Sequence, residues 1–443
     1  MRVSSLGHTG LKVESQNCTI LVNPWLSPEG AFLASWFQYP DNQHLVVPDL
    51  FEPDVIIISQ GQLDHLDPWF LAQIPSHVPA IIPKYPSPML YQKVATAGER
   101  MILEKAPWEI FQIKEIQIFF VAAASPMHHD AAIVIISEGQ VLVDLDEVQL
   151  TPCQLHHIQN QLHRSIDLLM LQSPKTPWFP LCYDCSPDRH HYYTQQVRMA
   201  QFQHIARVIK LVQPKITIPF ASSPCFLDPR LTKFNLEMID GIFPEPQQIV
   251  DWLKTQEIHN ITVLLPGESW DLETQMQTTC SIWDEFSCCD RLHYLESYAK
   301  QRAIHIERVM LRYPEPDRSL WQPFQEYFYY LLSLSTYFNQ NINMKVGFEI
   351  TGAGGGQWAV DFRSASQRVL SDMEEADYVY RFSSRWLTAL LNGTLLWEDF
   401  FPSLRFQVWH RLEADNAYLL GLLRFAHPEA LQAVETHERV LGL

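Results

Sequence analysis

The sequence predicts an α/β protein built as two units, and three observations carry that reading. At 443 residues the chain exceeds the ~100–200 residues of an ordinary domain. From residue 1 to about 272, short runs rich in Val, Ile, Leu and Phe are separated by turns and a few helical stretches, the pattern of strands interleaved with helices. Around Gln275–Arg291 the composition turns to Thr, Ser, Cys and Trp without strong periodicity, which divides a first unit, 1–274, from a second, 292–443.

Strands are expected at Val13–Val22, Val55–Ser59, Ile116–Val121, Ala131–Ser137, Val141–Asp144, Ile166–Leu171, Lys215–Pro219 and Ile261–Leu265. The clearest helix runs from Tyr192 to Val212, where Val197, Ala200, Ile205, Val208, Ile209 and Val212 recur at about helical spacing before Gln213-Pro214 ends it. A shorter helix is expected over Thr151–Arg164. The second unit opens with helices, and the aromatic stretch Trp321, Phe324, Tyr327, Phe328, Tyr329, Tyr330 and Tyr337 reads as a packing face. A strand-like pair follows at Lys345–Ile350 and Gln357–Phe362, then helical patterns at Ala376–Leu391 and Leu412–Phe425. The run Gly352-Ala353-Gly354-Gly355-Gly356 lacks the Gly-Lys-Ser/Thr ending of a phosphate loop, so it reads as a hairpin connection.

Composition excludes several classes. With 47% hydrophobic residues, 12% aromatics and 16 glycines, the chain is neither disordered nor collagen-like. Lys plus Arg number 32 against 50 Asp plus Glu, a net charge of −18 that repels polyanions, so no nucleic-acid partner is expected. No apolar run approaches the roughly 18–20 residues that cross a bilayer, and Met1-Arg2-Val3-Ser4-Ser5-Leu6-Gly7-His8 lacks the apolar stretch of a signal peptide. A cytoplasmic protein without a membrane partner is the expectation. The 8 cysteines do not make a disulfide framework in so long a chain.

The segment from Asp54 to Asp67 carries most of the chemistry, because the buried strand Val55-Ile56-Ile57-Ile58 runs into Ser59-Gln60-Gly61-Gln62-Leu63-Asp64-His65-Leu66-Asp67. Its form is similar to the metal loop of the metallo-β-lactamase fold, His-x-His-x-Asp-His, with Gln60 and Gln62 where both leading histidines belong. Further elements follow in order. Leu6-Gly7-His8 and Leu21-Val22-Asn23-Pro24-Trp25-Leu26 resemble the opening "LGHA" and "TDPWL" elements of the CMP-N-acetylneuraminate hydroxylase type, with Asn23 in place of its aspartate. Trp178-Phe179-Pro180, Gln213-Pro214-Lys215 with Pro219-Phe220-Ala221, Pro266-Gly267 with Asp271-Leu272, Gly355-Gly356-Gln357-Trp358-Ala359-Val360-Asp361-Phe362 and Asn392-Gly393-Thr394-Leu395-Leu396-Trp397-Glu398 resemble later stretches. The chain therefore resembles the non-Rieske portion of that hydroxylase type, a UlaG-like branch of the metallo-β-lactamase fold.

This resemblance implies a four-layer αβ/βα sandwich followed by a smaller, mainly helical α+β C-terminal domain. It also implies a ligand set. In the fold's dinuclear form the first metal takes the two leading histidines and a third, and the second takes the Asp-His pair, with a downstream aspartate bridging. Asp64 and His65 match that pair, Asp146 stands where the bridging aspartate is expected, and His128 or His129 could supply the third imidazole. Asp64 and Asp146 are the candidate catalytic carboxylates. The final histidine of many hydrolases of the fold would fall near Phe220-Ala221-Ser222, where there is none.

A neutral amide oxygen is a poor substitute for imidazole on zinc or iron, so the first metal site should be lost or very weak. Asp64, His65, Asp146 and one of His128 and His129 could still hold one divalent ion, iron or zinc, or Asp64 and His65 could persist as a pair that orders the loop. A Rieske centre requires Cys-x-His, which occurs nowhere in the chain, so no intrinsic cluster is expected and hydroxylase chemistry would require a separate Rieske or reductase partner. Cys182 and Cys185 with His190 and His191, and Cys153 with His156 and His157, have partial zinc-site spacing and are read as structural.

Three functions follow, in this order: a protein with an impaired metal centre that binds a small molecule, nucleotide-sugar-like by the resemblance, or a partner protein; a mononuclear-metal hydrolase or oxygenase component; and a structural zinc protein.

Overall fold

Burial on both faces of the central strands decides the architecture. Along β8 (Ile116–Ala122), β9 (Ala131–Ser137) and β10 (Gln140–Asp144), Ile118, Phe120, Ile133, Ile135 and Leu142 enter one core and Phe119, Val121, Ala132, Val134, Val141 and Val143 another. Successive side chains of a strand point to opposite faces, so a sheet apolar on both must be covered on both. The computed structural model describes residues 1–172, 178–220, 224–284, 286, 291–363, 368–410 (His410 by its backbone) and 416–441. The chain forms two compact units: Met1–Ala124, His128–Thr176 and His191–Ala303 in the first, and Ser125–Met127, Pro177–His190 and Ile304–Leu443 in the second.

The first unit holds two sheets. One adds β1 (Arg2–Gly7), β2 (Gly10–Glu14), β3 (Thr19–Val22), β4 (Val55–Ile57), β5 (Ala80–Pro83), β6 (Ile102–Lys105), β13 (Ser269–Asp271) and β14 (Met276–Thr278) in the order β14-β13-β1-β2-β3-β4-β5-β6. The other runs β12-β11-β10-β9-β8-β7, with β7 at Phe111–Ile113, β11 at Leu168–Gln172 and β12 at Ile216–Phe220. Between them lies a core in which Leu11, Val13, Ile20 and Ile56 join Ile118, Phe120, Leu142 and Met170. Phe70, Leu71, Leu90 and Val94, from the helices Pro68–Leu71 and Met89–Thr96, belong to the same core. The outer face of the second sheet packs on Leu155 and Ile158 of the helix Pro152–Leu162, Phe202, Ile205 and Ile209 of Pro187–Val212, and Ile249 and Leu253 of Pro246–Thr255. Two facing sheets with helices packed on them match the expected αβ/βα layering.

The second unit is an α+β module. Its sheet runs β17-β16-β15-β18-β19, from Arg368–Leu370, Gly356–Asp361, Lys345–Thr351, Tyr378–Ser383 and Gln407–His410. Phe324 and Phe328 of the helix Trp321–Leu334 pack on Phe348, and Phe324 also on Trp358, so the aromatic stretch is a packing face. The glycine run is the hairpin between β15 and β16.

Three expectations are corrected. Val13–Val22 is a hairpin rather than one strand, because Glu14-Ser15-Gln16-Asn17 supplies turn residues and the Ser15 N–H donates to the Cys18 carbonyl at 2.9 Å. Ile261–Leu265 contributes a single bridge, Thr217 to Ile261, and no strand. Ala376–Leu391 begins as β18, whose Tyr378, Tyr380 and Phe382 bury at period two between β15 and β19; the helix starts at Ser384. The last expected helix is observed over Ala417–Phe425, and its proposed start at 412–415 lies outside the described residues.

Candidate functional site

Strand ends build the site. β1 and β2 are antiparallel, as are β2 and β3, while β3 and β4 are parallel, so β1, β3 and β4 run the same way and end on one edge. His8 follows β1, Asn23 follows β3 and Ser59 lies just past β4, while Asp146 comes two residues after β10. His8, Asn23 and Asp146 have φ of 49°, 44° and 49°. Left-handed backbone at a non-glycine residue costs roughly 1–2 kcal/mol, and here it occurs at three residues whose side chains join one hydrogen-bond network. Asp67 anchors the loop: its Oδ1 accepts from the N–H groups of Trp69 and Phe70 as a helix cap, and its Oδ2 accepts from Leu26 N–H at 2.9 Å. Burial pushes the Asp67 carboxyl up to about 6 against those backbone donors.

His65 is the centre of the network. Its Nδ1 lies 3.0 Å from Asp64 Oδ1 and its Nε2 lies 2.9 Å from Asp146 Oδ1, with all three side chains fully buried. The other Asp64 oxygen takes His8 Nε2 at 2.9 Å. The other Asp146 oxygen accepts from Ser59 Oγ at 2.6 Å and from Asn23 Nδ2 at 3.0 Å, while Asn23 Oδ1 accepts the Ser59 N–H at 2.9 Å. With a carboxylate against each ring nitrogen, an imidazolium between two aspartates satisfies both contacts. Burial disfavours that charge, yet Asp146 and Asp64 outweigh it and raise the His65 pKa well above its usual value. Burial likewise opposes ionisation of Asp64, but His65 and His8 hold its carboxyl well below the usual range. Gln60 Nε2 stands 3.1 Å from His65 Nε2, so the residue in place of a leading histidine also touches this ring.

A third aspartate lies behind. Asp144 Oδ1 accepts the Asp146 N–H at 2.9 Å, while Oδ2 has no hydrogen-bond partner among the described residues. Burial, reinforced by the charge of Asp146, pushes the Asp144 carboxyl well above its usual range. Glu147 accepts from Gln172 Nε2 at 2.6 Å and, with Asp146, lines a cavity of about 390 Å³ that also reaches His204 and Arg207.

The sequence candidates divide on this geometry. Asp64, His65 and Asp146 are in mutual contact through His65. His128 is exposed, and His129 stacks on Tyr85 at 5.1 Å, whose hydroxyl donates to the Ser59 carbonyl at 2.7 Å. Among the described residues, the one group of three His, Cys, Asp or Glu side chains with ligand atoms all within 4.8 Å of each other is Asp64, His65 and Glu147. Glu147 was missed by sequence reasoning, although it directly follows Asp146. The Asn23–Ser59 pair was missed as well; the signal was Asn23 at the position of the family's aspartate. Among the described residues neither Cys/His group forms a cluster of ligand atoms; His156 Nδ1 meets the Pro152 carbonyl at 2.9 Å, and His157 packs edge-on to Trp108. Ala221 and Ser222, where a final histidine would fall, lie outside the described residues. Among the described residues no helix is long and apolar enough to cross a membrane.

Comparison with known proteins agrees with this frame. Residues 2–167 match the family of the beta-lactamase superfamily domain, and the chain has the metallo-β-lactamase fold followed by a helical C-terminal region, an α/β protein. A Mycolicibacterium smegmatis protein provisionally named a Rieske 2Fe-2S iron-sulfur protein is 25% identical over 441 residues, 95% of this chain and 83% of its own length. A similarly named Mycobacterium tuberculosis protein is 26% identical over 281 residues, 61% of this chain and 54% of its own length, so the match spans about half of that relative. Among solved structures, CmlA, a diiron beta-hydroxylase from Streptomyces venezuelae, has 12% identity and a TM-score of 0.41 over 63% of this chain and 54% of its own. An isothiocyanate hydrolase from Delia radicum gut bacteria has 11% identity and a TM-score of 0.41 over 61% and 98%.

Proposed function

We propose that this chain is a metallo-β-lactamase-fold protein of the CMP-N-acetylneuraminate hydroxylase type whose metal centre is impaired, and that it binds a small molecule or a partner protein in the cytoplasm. The observation that carries this reading is the pair of amides, Gln60 and Gln62, standing where the fold's metal loop has its two leading imidazoles. The donors do not fit a dinuclear centre, since Gln60 and Gln62 offer amides where two imidazoles are needed and neither His128 nor His129 belongs to the cluster of ligand atoms. The domain division at 274 and 292 and the assignment of residues 292–443 to that family's C-terminal domain belong to the same proposal.

One observation favours a second reading, a mononuclear hydrolase or an oxygenase component: Asp64, His65 and Glu147 can bring three ligand atoms within 4.8 Å, a set for one divalent ion once His65 loses a proton. Asp64 and Asp146 would then be its catalytic carboxylates, and an oxygenase would draw electrons from a separate Rieske partner. Metal analysis by mass spectrometry of protein purified without chelator, beside an Asp64→Ala plus Asp146→Ala variant, separates the two. The impaired centre predicts far less than one equivalent in both proteins. About one iron, zinc or manganese per chain, lost in the variant, would replace it with the enzyme.

A further inference from the structure

Beside His8 the first unit holds a second cavity, partly open, of about 280 Å³, lined by Tyr39, Pro219, Phe220, Leu265 and Phe286 among others. Val263, Leu264 and Leu265, beyond the single bridge at Ile261, line it. The volume lies just below that of drug-sized pockets, which run ~300–1,000 Å³, and about twice the ~150 Å³ that holds one benzene ring.

Ser5, His8, Tyr39 and Gln247 supply polar lining, and the Asp, Glu, Lys and Arg side chains among the described lining residues are two carboxylates. Glu245 and Glu268 line the wall, both buried, and among the described residues no Lys or Arg lines it. Arg291 is ion-paired with Glu245. Glu268 accepts from neutral donors, the Leu265 N–H at 2.9 Å and Gln277 Nε2 at 3.2 Å, so its charge is not cancelled by them. The chain's net charge of −18 adds a long-range field of the same sign. A lining of aromatic rings with the carboxylate of Glu268 favours a cation or a neutral ring, and an anion entering here would lose its hydration against like charge.

We infer that this cavity binds a small ring-bearing molecule that is neutral or cationic, and rejects anions. The inference deepens the proposed small-molecule role and rests on it, but it departs from the nucleotide-sugar-like ligand that the family resemblance implies. The test is titration calorimetry of the full chain with three probes on one ring system: indole, tryptamine and indole-3-acetate. Indole and tryptamine bind at least about tenfold more tightly than indole-3-acetate, and Leu265→Trp and Gln247→Trp, which fill the cavity from two different segments, each weaken tryptamine at least about tenfold. Arg207→Ala, in the cavity beside Glu147, leaves tryptamine binding unchanged. Equal or tighter binding of indole-3-acetate, or tryptamine binding that survives both filling variants, overturns the inference. The probe series uses the unaltered chain, so the discrimination between charges is read whether or not either substituted protein folds. Metal-free protein that binds none of the probes defeats this inference alone, whereas a stoichiometric metal defeats the underlying reading whatever the probes do.

Discussion

His65 Nε2 and Asp146 Oδ1 meet at 2.9 Å across 81 residues of sequence, inside a core that excludes water from both side chains. The contact joins the loop after β4 in one sheet to the end of β10 in the other, so the ion triad fastens the two halves of the first unit. His65→Leu leaves Asp64 and Asp146 buried without their shared cation, and the expected loss is about 3–5 kcal/mol in urea denaturation. Adding Asp64→Asn and Asp146→Asn to His65→Leu should recover a large part of that loss, because the penalty lies in the stranded charges. A His65→Leu protein within about 1 kcal/mol of the parent would show that the triad is not ion-paired as described.

Gln60→His plus Gln62→His should give the loop the two imidazoles it lacks. Zinc then raises the melting temperature of the double variant and is retained through dialysis, while the parent's melting temperature does not respond. The readout is thermal denaturation with and without equimolar zinc, with metal analysis after dialysis. An equal response of the parent would place a working metal site in the unaltered chain.

The frame of the first unit was legible because strands buried on both faces read as near-continuous apolar runs; Ala131–Ser137 falls on its expected boundaries. Elements decided by partners were not legible. Tyr378–Ser383 has helical residues downstream and becomes a strand because β15 and β19 flank it. Asp64, His65 and Asp146 could be chosen from sequence, since a motif names them, but the third histidine could not. His129 stacks on Tyr85, and the side chain that can bring a ligand atom within 4.8 Å of those of Asp64 and His65 is Glu147, which no motif distinguishes from a surface glutamate.

Asn23 serves the network through both its backbone and its amide, and two substitutions separate the contributions. Asn23→Gly removes the hydrogen bonds to Ser59 and Asp146 but keeps a residue at ease with φ of 44°, so the expected loss is about 2–3 kcal/mol. Asn23→Ala removes the same bonds and adds left-handed strain, a further loss of about 1 kcal/mol. Chemical denaturation of both variants checks the order, and an alanine variant as stable as the glycine variant refutes the strain.

Cys18 should be inert while the chain is folded. Burial, reinforced by the charge of Asp54, raises its thiol to about 11 from the usual 9.0. The proton is held more tightly by the folded than by the unfolded state, so stability contributed by this group is intact below pH 9 and declines as pH climbs from about 9 to 11. Iodoacetamide at about pH 8 followed by peptide mapping should label the exposed Cys153 rapidly and Cys18 only in denaturant. Comparable labelling of both in the native protein would contradict the burial of Cys18.

Two glycines of the second unit share a backbone conformation but not their surroundings. Gly354 has φ of 69° and a Cβ there would stand 2.1 Å from the Arg318 carbonyl oxygen, whereas Gly393, at φ of 75°, would place a Cβ with nothing within 4 Å. Gly393→Ala therefore bears the left-handed penalty alone, about 1 kcal/mol, partly offset by a stiffer unfolded chain. Gly354→Ala must also displace backbone, because the obstructing atom is a carbonyl rather than the end of a flexible side chain. The Leu320 N–H donates to the Gly354 carbonyl at 2.9 Å, so moving this turn also disturbs the entry to the helix Trp321–Leu334, whose Phe324 and Phe328 pack on the sheet. The expected cost is about 3 kcal/mol or more. Parallel denaturation of the two variants, followed by near-UV circular dichroism of the aromatic cluster, tests the difference. Equal losses would mean that the hairpin yields freely and that Gly354 is required only for its φ.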